Sequence, residues 1–185
     1  MTVSPWRPDD TREIAELIKD IDICMFVTRS NGSVRGRPMS NNGKVEFDGD
    51  NWFFSYRDSG KVAEIEANPT VELAYIATDQ GTWVSVEGQA EIVEDDDRKR
   101  DLWEKDLEAW FEGGPEDDRI VLLKVRAQRI HAWANGEELV VEPGVGSSAS
   151  SRRHAAARSI RPGTPRLCGC EAACGRRGAR ASTAG

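Results

Sequence analysis

The stretch Trp52-Phe53-Phe54-Ser55-Tyr56-Arg57-Asp58-Ser59-Gly60-Lys61 orders the reading of the whole chain. Its aromatic first half has the composition of a β-strand. Ser59 then stands where it can cap a helix over Lys61–Ala67, which Asn68-Pro69 terminates. One hairpin upstream, Gly36-Arg37-Pro38-Met39-Ser40 brings a second strand to its end near a cation. Arg37 and Lys61, fixed at adjacent strand ends beside hydroxyls, can hold a phosphate monoester, the guanidinium as a fork and the ammonium as a point charge. An aromatic β-surface alongside suits a flat ring system, and a phosphate joined to a flat ring suggests flavin mononucleotide (FMN).

Short elements flank this stretch on both sides. Asp9 and Asp10 precede an amphipathic helix over Thr11–Lys19, with Ile14, Leu17 and Ile18 at helical spacing. Ile21–Thr28 reads as a strand, Asn31-Gly32 as a hairpin turn and Val34–Ser40 as the returning strand, where Pro38 implies an edge or a bulge. Lys44–Phe47 and Asn51–Tyr56 flank a second turn at Asp48-Gly49-Asp50. Val71–Ala77 and Thr82–Val93 are strands joined at Asp79-Gln80-Gly81. Asp95-Asp96-Asp97 starts a helix predicted to run to about Phe111, with Leu102, Trp103, Leu107 and Trp110 on one stripe, and Gly113-Gly114-Pro115 ends it. Ile120–Val125 and Arg129–Trp133 complete the set. The pattern predicts a mainly β protein with flanking helices, at least six antiparallel strands in hairpins that favour a closed barrel over an open sheet. With no GxGxxG, no GxxxxGK[ST] and no repeated βα unit, a Rossmann or P-loop fold is unlike this chain.

Charge divides the 185 residues in two. Residues 144–185 contain eight Arg, no Lys and one acid, Glu171, so residues 1–143 hold 17 basic and 31 acidic residues, a net charge of −14. Such a body does not suit nucleic acid. After Pro143 hydrophobic periodicity stops, and 144–185 reads as a disordered Arg/Gly/Ala/Ser-rich tail. Its composition is that of a GC-rich frame translated out of phase, a gene-model artefact, with a basic interaction tail as the alternative. Met1–Asp10 has no apolar signal region and no apolar run approaches a membrane span, so the expected location is the cytoplasm, with no membrane partner. Cys24 alone in the body fits reducing conditions. Asn31-Gly32-Ser33, a sequon in form, reads as a turn.

The ordered series Gly36-Arg37-Pro38-Met39, Trp52-Phe53-Phe54-Ser55, Ser59-Gly60-Lys61-Val62, Asn68-Pro69, Trp83-Val84-Ser85-Val86-Glu87-Gly88, Leu102-Trp103 and Trp133 resembles the pyridoxamine 5'-phosphate oxidase-like FMN-binding split barrels, in their general stress protein 26 branch, over about residues 9–142. The resemblance implies an antiparallel six-stranded split β-barrel, and a homodimer with FMN at the subunit interface. It implies that Arg37, Pro38, Met39 and Ser40 form the first flavin-contacting strand, that Phe54 and Ser55 border ring and phosphate, and that Gly60 and Lys61 make a second phosphate-binding turn. Trp83 falls at a polar flavin contact of the true oxidases, and Trp133 at an aromatic reaching the flavin from the partner subunit. Two departures bear on activity. The true oxidases have a substrate-binding lysine where this chain has Asn42. They also carry an Arg-Leu-His-Asp-Arg-like substrate loop where this chain has Ala134-Asn135-Gly136-Glu137-Glu138. Synthesis of pyridoxal phosphate is therefore not expected.

Plainer roles compete for several of these residues. Arg37 and Lys61 also suit an ordinary charged surface, and Trp83, Trp103 and Trp133 suit core or interface packing. Cys24 reads as a small buried hydrophobe rather than a nucleophile, Asp95–Asp97 as a helix start, and no catalytic triad is evident. Cys168, Cys170 and Cys174 lack a second cluster, so no metal site is expected. Three functional readings stand: an FMN-dependent oxidoreductase of unassigned substrate, a non-catalytic flavin-binding or sensing stress protein, and a split barrel using deazaflavin or haem. No catalytic side chain is assigned.

Overall fold

The structure is a computed structural model that describes residues 6–41 and 47–143, together with the backbone of 145–149. It contains an eight-stranded antiparallel sheet. β1 (Ile23–Ser30) alternates, turning Cys24, Phe26 and Thr28 inward, and β2 (Ser33–Ser40) returns along it. Their connection is the expected two-residue turn, with Asn31 at φ 49° and Gly32 at φ 77°, the left-handed pair that matches strand twist. β3 is Asp50–Tyr56, β4 Thr70–Ala77, β5 Thr82–Val93, β6 Ile120–Ala134, β7 Glu137–Glu142 and β8 Val145–Ala149. The order is β2-β1-β4-β5-β6-β7-β8, with β3 also paired to β6.

β6 explains the split. One edge pairs with β5 from Leu122 to Trp133. The other edge is shared, with Ile120–Arg126 taken by β3 and Ile130–Ala134 by β7. The sequence suggested two strands, Ile120–Val125 and Arg129–Trp133; they are one strand. Register shifts at Glu87/Gly88, where Glu87 faces Arg129 and Gly88 faces Ala127, leaving Gln128 as the extra residue of a bulge. Gly88 allows this approach, since a Cβ there would lie 2.5 Å from the Arg126 carbonyl oxygen. The sheet exceeds the expected six strands because β7 and β8 follow a tight Asn135-Gly136 turn, and it continues past Pro143 to Ala149. Most of the expected Lys44–Phe47 strand, and the tail from 150 onward, lie outside the described residues.

The helices cover the sheet. α1 (Pro8–Ile18) begins earlier than Asp9-Asp10 suggested, because Pro8 fits the first helical turn and the two acids then sit in that turn, facing the macrodipole. α2 (Gly60–Ala67) ends before Asn68-Pro69 as expected. α3 (Asp96–Leu102) is capped by Asp95, whose carboxylate accepts the Arg98 backbone N–H at 2.9 Å. The helix expected to reach Phe111 instead breaks at Trp103 (ψ 132°) and resumes as a 3-10 turn over Lys105–Ala109. In an unbroken helix residues 103 and 111 would be separated by about 12 Å of rise. The break places their rings 6.2 Å apart, around Phe54. Phe54, Leu102, Phe111, Ile120 and Leu122 thus form a small second core beside the main one. Trp110, expected on the buried stripe, is 71% exposed.

Candidate functional site

Lys61 is the organising residue. Ser59 occupies the N-cap position of α2 with extended backbone, yet its side chain makes no cap hydrogen bond. Its Oγ lies 2.9 Å from Ser55 Oγ instead, and Lys61 Nζ donates to Ser55 Oγ at 3.0 Å and reaches Ser59 Oγ at 3.5 Å. Ser55 is buried and its place is fixed by β3 pairing with Val121 of β6. Burial lowers the Lys61 pKa, the nearby Arg37 charge lowers it further, and Glu64 opposes both. Among the described residues Lys61 has no ion-pair partner, since the adjacent carboxylate, Glu64, is occupied by Arg35 and Arg37. A partly buried ammonium with two convergent hydroxyls and no carboxylate paired to it among the described residues can receive an anion, even though Asp22, Glu104 and Asp106 line the rest of the cleft.

The cradle opens into a cleft of about 600 Å³. Pro38, Met39 and Ser40 of β2 form one wall, and Phe54, Ser55 and Tyr56 of β3 another. Leu107, Trp110 and Phe111 form a third, so the break after α3 is what supplies this aromatic side. Volume and apolar walls are those of a small-molecule site. The cleft also touches Ile23, the first residue of β1, whose side chain belongs to the sheet's outer face.

The expected site residues are not all brought together. Pro38, Met39, Ser40, Phe54, Ser55 and Lys61 line the cleft, and Gly60 precedes Lys61 at the start of α2 with open space at its Cα. Arg37 does not line it. Strand alternation turns Arg35 and Arg37 to the side of Thr28 and Phe26, their β1 partners. There Arg37 Nη1 donates to Thr28 Oγ1 at 2.9 Å and Nη2 to Glu64 Oε2 at 2.7 Å. Trp83 and Trp133 are also elsewhere. They face one another across the β5–β6 pairing, 44% and 39% exposed, beside Ile76 opposite Trp83 on β4. With Ile23 and Met25 they make an apolar row on the outer face of the sheet.

Glu64 and Thr28 were missed in the sequence, and Ser59 was read as a cap. The available signal was small: Thr28 is a hydroxyl at an inward position of an apolar strand, and Glu64 lies between Val62 and Ile65, both buried. Thr28 Oγ1 donates to Glu64 Oε2 at 2.6 Å, and Arg35 Nη1 to Oε1 at 3.2 Å. The Thr28 hydrogen bond chiefly, with the two guanidinium groups, holds the Glu64 carboxyl below the usual range against the cost of burial. Cys24 is buried as expected, its thiol pushed up to about 12 by desolvation, so it is no nucleophile at neutral pH. Among the described residues no group of His, Cys, Asp and Glu is arranged to hold a metal ion; Cys168, Cys170 and Cys174 lie outside them, as does Asn42. No described helix is long and apolar enough to cross a membrane.

The chain is similar to known proteins in sequence and in fold. The chain is 31% identical over 96 residues to Protein bli-3 of Neurospora crassa, covering 48% of this chain and 46% of that protein. It is 33% identical over 88 residues to General stress protein 26 of Bacillus subtilis, covering 46% of this chain and 62% of that one. These matches thus span about half of the curated relatives' length. The crystal structure of the general stress FMN/FAD binding protein from Xanthomonas citri superposes with a TM-score of 0.61 at 22% identity, over 70% of this chain and 91% of that one. The model of the family described as pyridoxamine 5'-phosphate oxidase like matches residues 9–145, most of the chain and all of the cleft, and the protein belongs to that family of split barrels.

Proposed function

We propose that the protein binds FMN and works as a flavin-dependent oxidoreductase of the general stress type, as a homodimer. The observation that carries the reading is the Lys61–Ser55–Ser59 cradle at one end of an aromatic cleft. The residues fit the cofactor: a partly buried cation lacking a carboxylate accepts the phosphate, and the Phe54 and Tyr56 side supplies an apolar wall for the ring. The relative from Xanthomonas citri, named as an FMN/FAD binding protein, supports the same assignment. When bound, FMN supplies hydride chemistry. The chain's part is to anchor the phosphate at Lys61, orient the ring against the wall and keep water from the wall side through the buried Phe111. No side chain is assigned to proton transfer.

The dimer reading rests on the outer face. Ile23, Met25, Ile76, Trp83 and Trp133 expose a connected apolar row, and Ile23 is shared with the cleft. A second copy placed there covers the row and lies against the cleft's rim. Pyridoxal phosphate synthesis is disfavoured, because the position of the oxidases' substrate loop holds the Asn135-Gly136 hairpin turn. A non-catalytic flavin holder is the second reading, favoured by the Asn135-Gly136 turn that stands in place of the oxidases' substrate loop.

The test is an absorbance spectrum from roughly 300 to 550 nm, the range of flavin bands, after FMN addition and desalting. Retained bands support the site, and bleaching by NAD(P)H then separates turnover from mere holding. Loss of FMN by wild type, or a change under about tenfold in affinity (roughly 1.4 kcal/mol) in the Arg37→Ala/Lys61→Ala double variant, sinks the phosphate assignment.

A further inference from the structure

The buried carboxylate behind the cradle has no role in the reading above. Glu64 is 8% exposed, yet it sits on α2 three residues after Lys61, with two guanidinium groups and a hydroxyl converging on it. Arg35 is largely exposed, so water solvates it. Arg37 is 21% exposed, and both of its described hydrogen bonds run to the Glu64–Thr28 pair rather than to the cleft. Arg37 nevertheless lies near enough to Lys61 for its charge to act there. A strong cation is therefore stored beside the anion cradle, satisfied by an internal anion.

We propose that Glu64 is a resident competitor of the ligand phosphate for Arg37, and so sets how tightly the site holds a phosphate monoester. This rests on the flavin reading of the cleft. Without ligand, Glu64 keeps three neighbouring cations, Arg35, Arg37 and Lys61, from repelling one another, so the cradle stands assembled when empty. With phosphate at Lys61 and Ser55, Arg37 is attracted to two anions, and whatever it gives to the phosphate it withdraws from Glu64. Affinity for the phosphate is thereby held down and the cofactor stays exchangeable. Glu64 does not line the cleft, and it competes with the phosphate through Arg37 while its charge also favours the Lys61 ammonium.

Riboflavin, which has the ring without the phosphate, is the internal control. In Glu64→Gln the competing charge is gone while size is kept, and Arg37 is left partly buried without a counter-charge, a situation an incoming anion relieves. The FMN Kd, read by fluorescence quenching, is expected to fall about tenfold, the scale of one charge-assisted hydrogen bond, while the riboflavin Kd stays within about twofold of wild type. An unchanged or weakened FMN affinity, or equal shifts for both ligands as a merely structural residue would give, overturns the proposal. Should E64Q not fold, the wild type answers: the carboxyl carbon resonance of labelled Glu64 is expected to move on FMN and not on riboflavin, and no movement on FMN overturns it. If wild type holds neither flavin, the flavin reading fails, and inorganic phosphate becomes the probe by calorimetry. Tighter phosphate binding by E64Q sustains the competitor role; equal binding ends it.

Discussion

The cradle end and the outer sheet face differ in how the chain makes them. The cradle, Ser55, Ser59 and Lys61, is polar, partly buried and local, assembled by one strand end and the helix that follows it. The outer row, Ile23, Met25, Ile76, Trp83 and Trp133, is apolar, exposed and assembled across four strands that draw on residues from 23 to 133. The cleft beyond the cradle and the outer row both draw on the β1–β2 hairpin. Arg37 points toward the Thr28–Glu64 side, while its neighbour Pro38 belongs to the other face, opposite Met25. Consecutive residues of this segment thus face opposite ways, because a strand sends alternate side chains to opposite faces, even though Pro38 also lines the cleft. Proposed flavin binding and proposed dimerisation should then be separable by mutation although they share a hairpin.

The sharpest way to break that separation is at the tryptophans. Trp83→Glu or Trp133→Glu puts a charge into the apolar row, and central aromatic anchors of an interface are commonly worth 2 kcal/mol or more. Sedimentation is expected to show the dimer dissociation constant raised about 30-fold or more. A variant that stays dimeric at wild-type concentrations removes the outer face as the interface. One that loses FMN and dimer in the same proportion joins the two regions into one site.

Lys61→Ala tests the other region. FMN affinity is expected to drop about tenfold, with riboflavin affinity and dimerisation unchanged. Equal loss of FMN and riboflavin would assign Lys61 to shaping the cleft rather than holding phosphate.

A smaller effect follows from titration. The Lys61 pKa lies below its ordinary 10.5, chiefly because of burial. As pH rises toward and past that lowered value the ammonium is lost and its attraction for phosphate with it. The ratio of FMN to riboflavin affinity should thus decline on the alkaline side before pH 10.5 is reached. Using the ratio cancels ionisation of the ring, common to both ligands. A ratio flat to pH 10.5, the ordinary lysine value, would contradict a phosphate site built on Lys61.

The two regions were also unequally legible. Asn31-Gly32, Asp79-Gln80-Gly81 and the Ser59 to Pro69 helix are readable because their determinants lie within a few residues. Six of the expected site residues do meet in the cleft, because Pro38–Ser40 and Phe54–Lys61 carry local strand and turn signals. What was lost depended on distant partners. The Thr28–Glu64 contact joins residues 36 positions apart, the continuity of β6 depends on Gly88 of β5, and the break at Trp103 depends on packing of Phe111 against Phe54. Periodicity alone favoured one long helix after Asp95, and the second core overrode it.

The smallest predicted effect discriminates between a site and a structural lysine. Burial and Arg37 lower the folded-state pKa of Lys61. Between the folded and unfolded values the unfolded chain binds more protons, so stability increases with pH through that window. Below it the lysine is charged in both states and its desolvation counts fully against the fold. Lys61→Met, which keeps an unbranched side chain and removes the charge, is accordingly expected to stabilise the ligand-free protein at pH 7 by about 0.5 kcal/mol, on the scale of gains at functional positions. The same variant should lose the extra stabilisation that FMN gives over riboflavin in thermal melts. A structural lysine, held by Ser55 and Ser59 for the sake of the fold, would show the opposite sign, with K61M melting lower than wild type. The outer face offers no such trade, since Trp83 and Trp133 have no charge to desolvate. A cation kept at a stability cost beside two hydroxyls is what distinguishes the cradle from the apolar row, and the sign of the K61M shift reads that distinction directly.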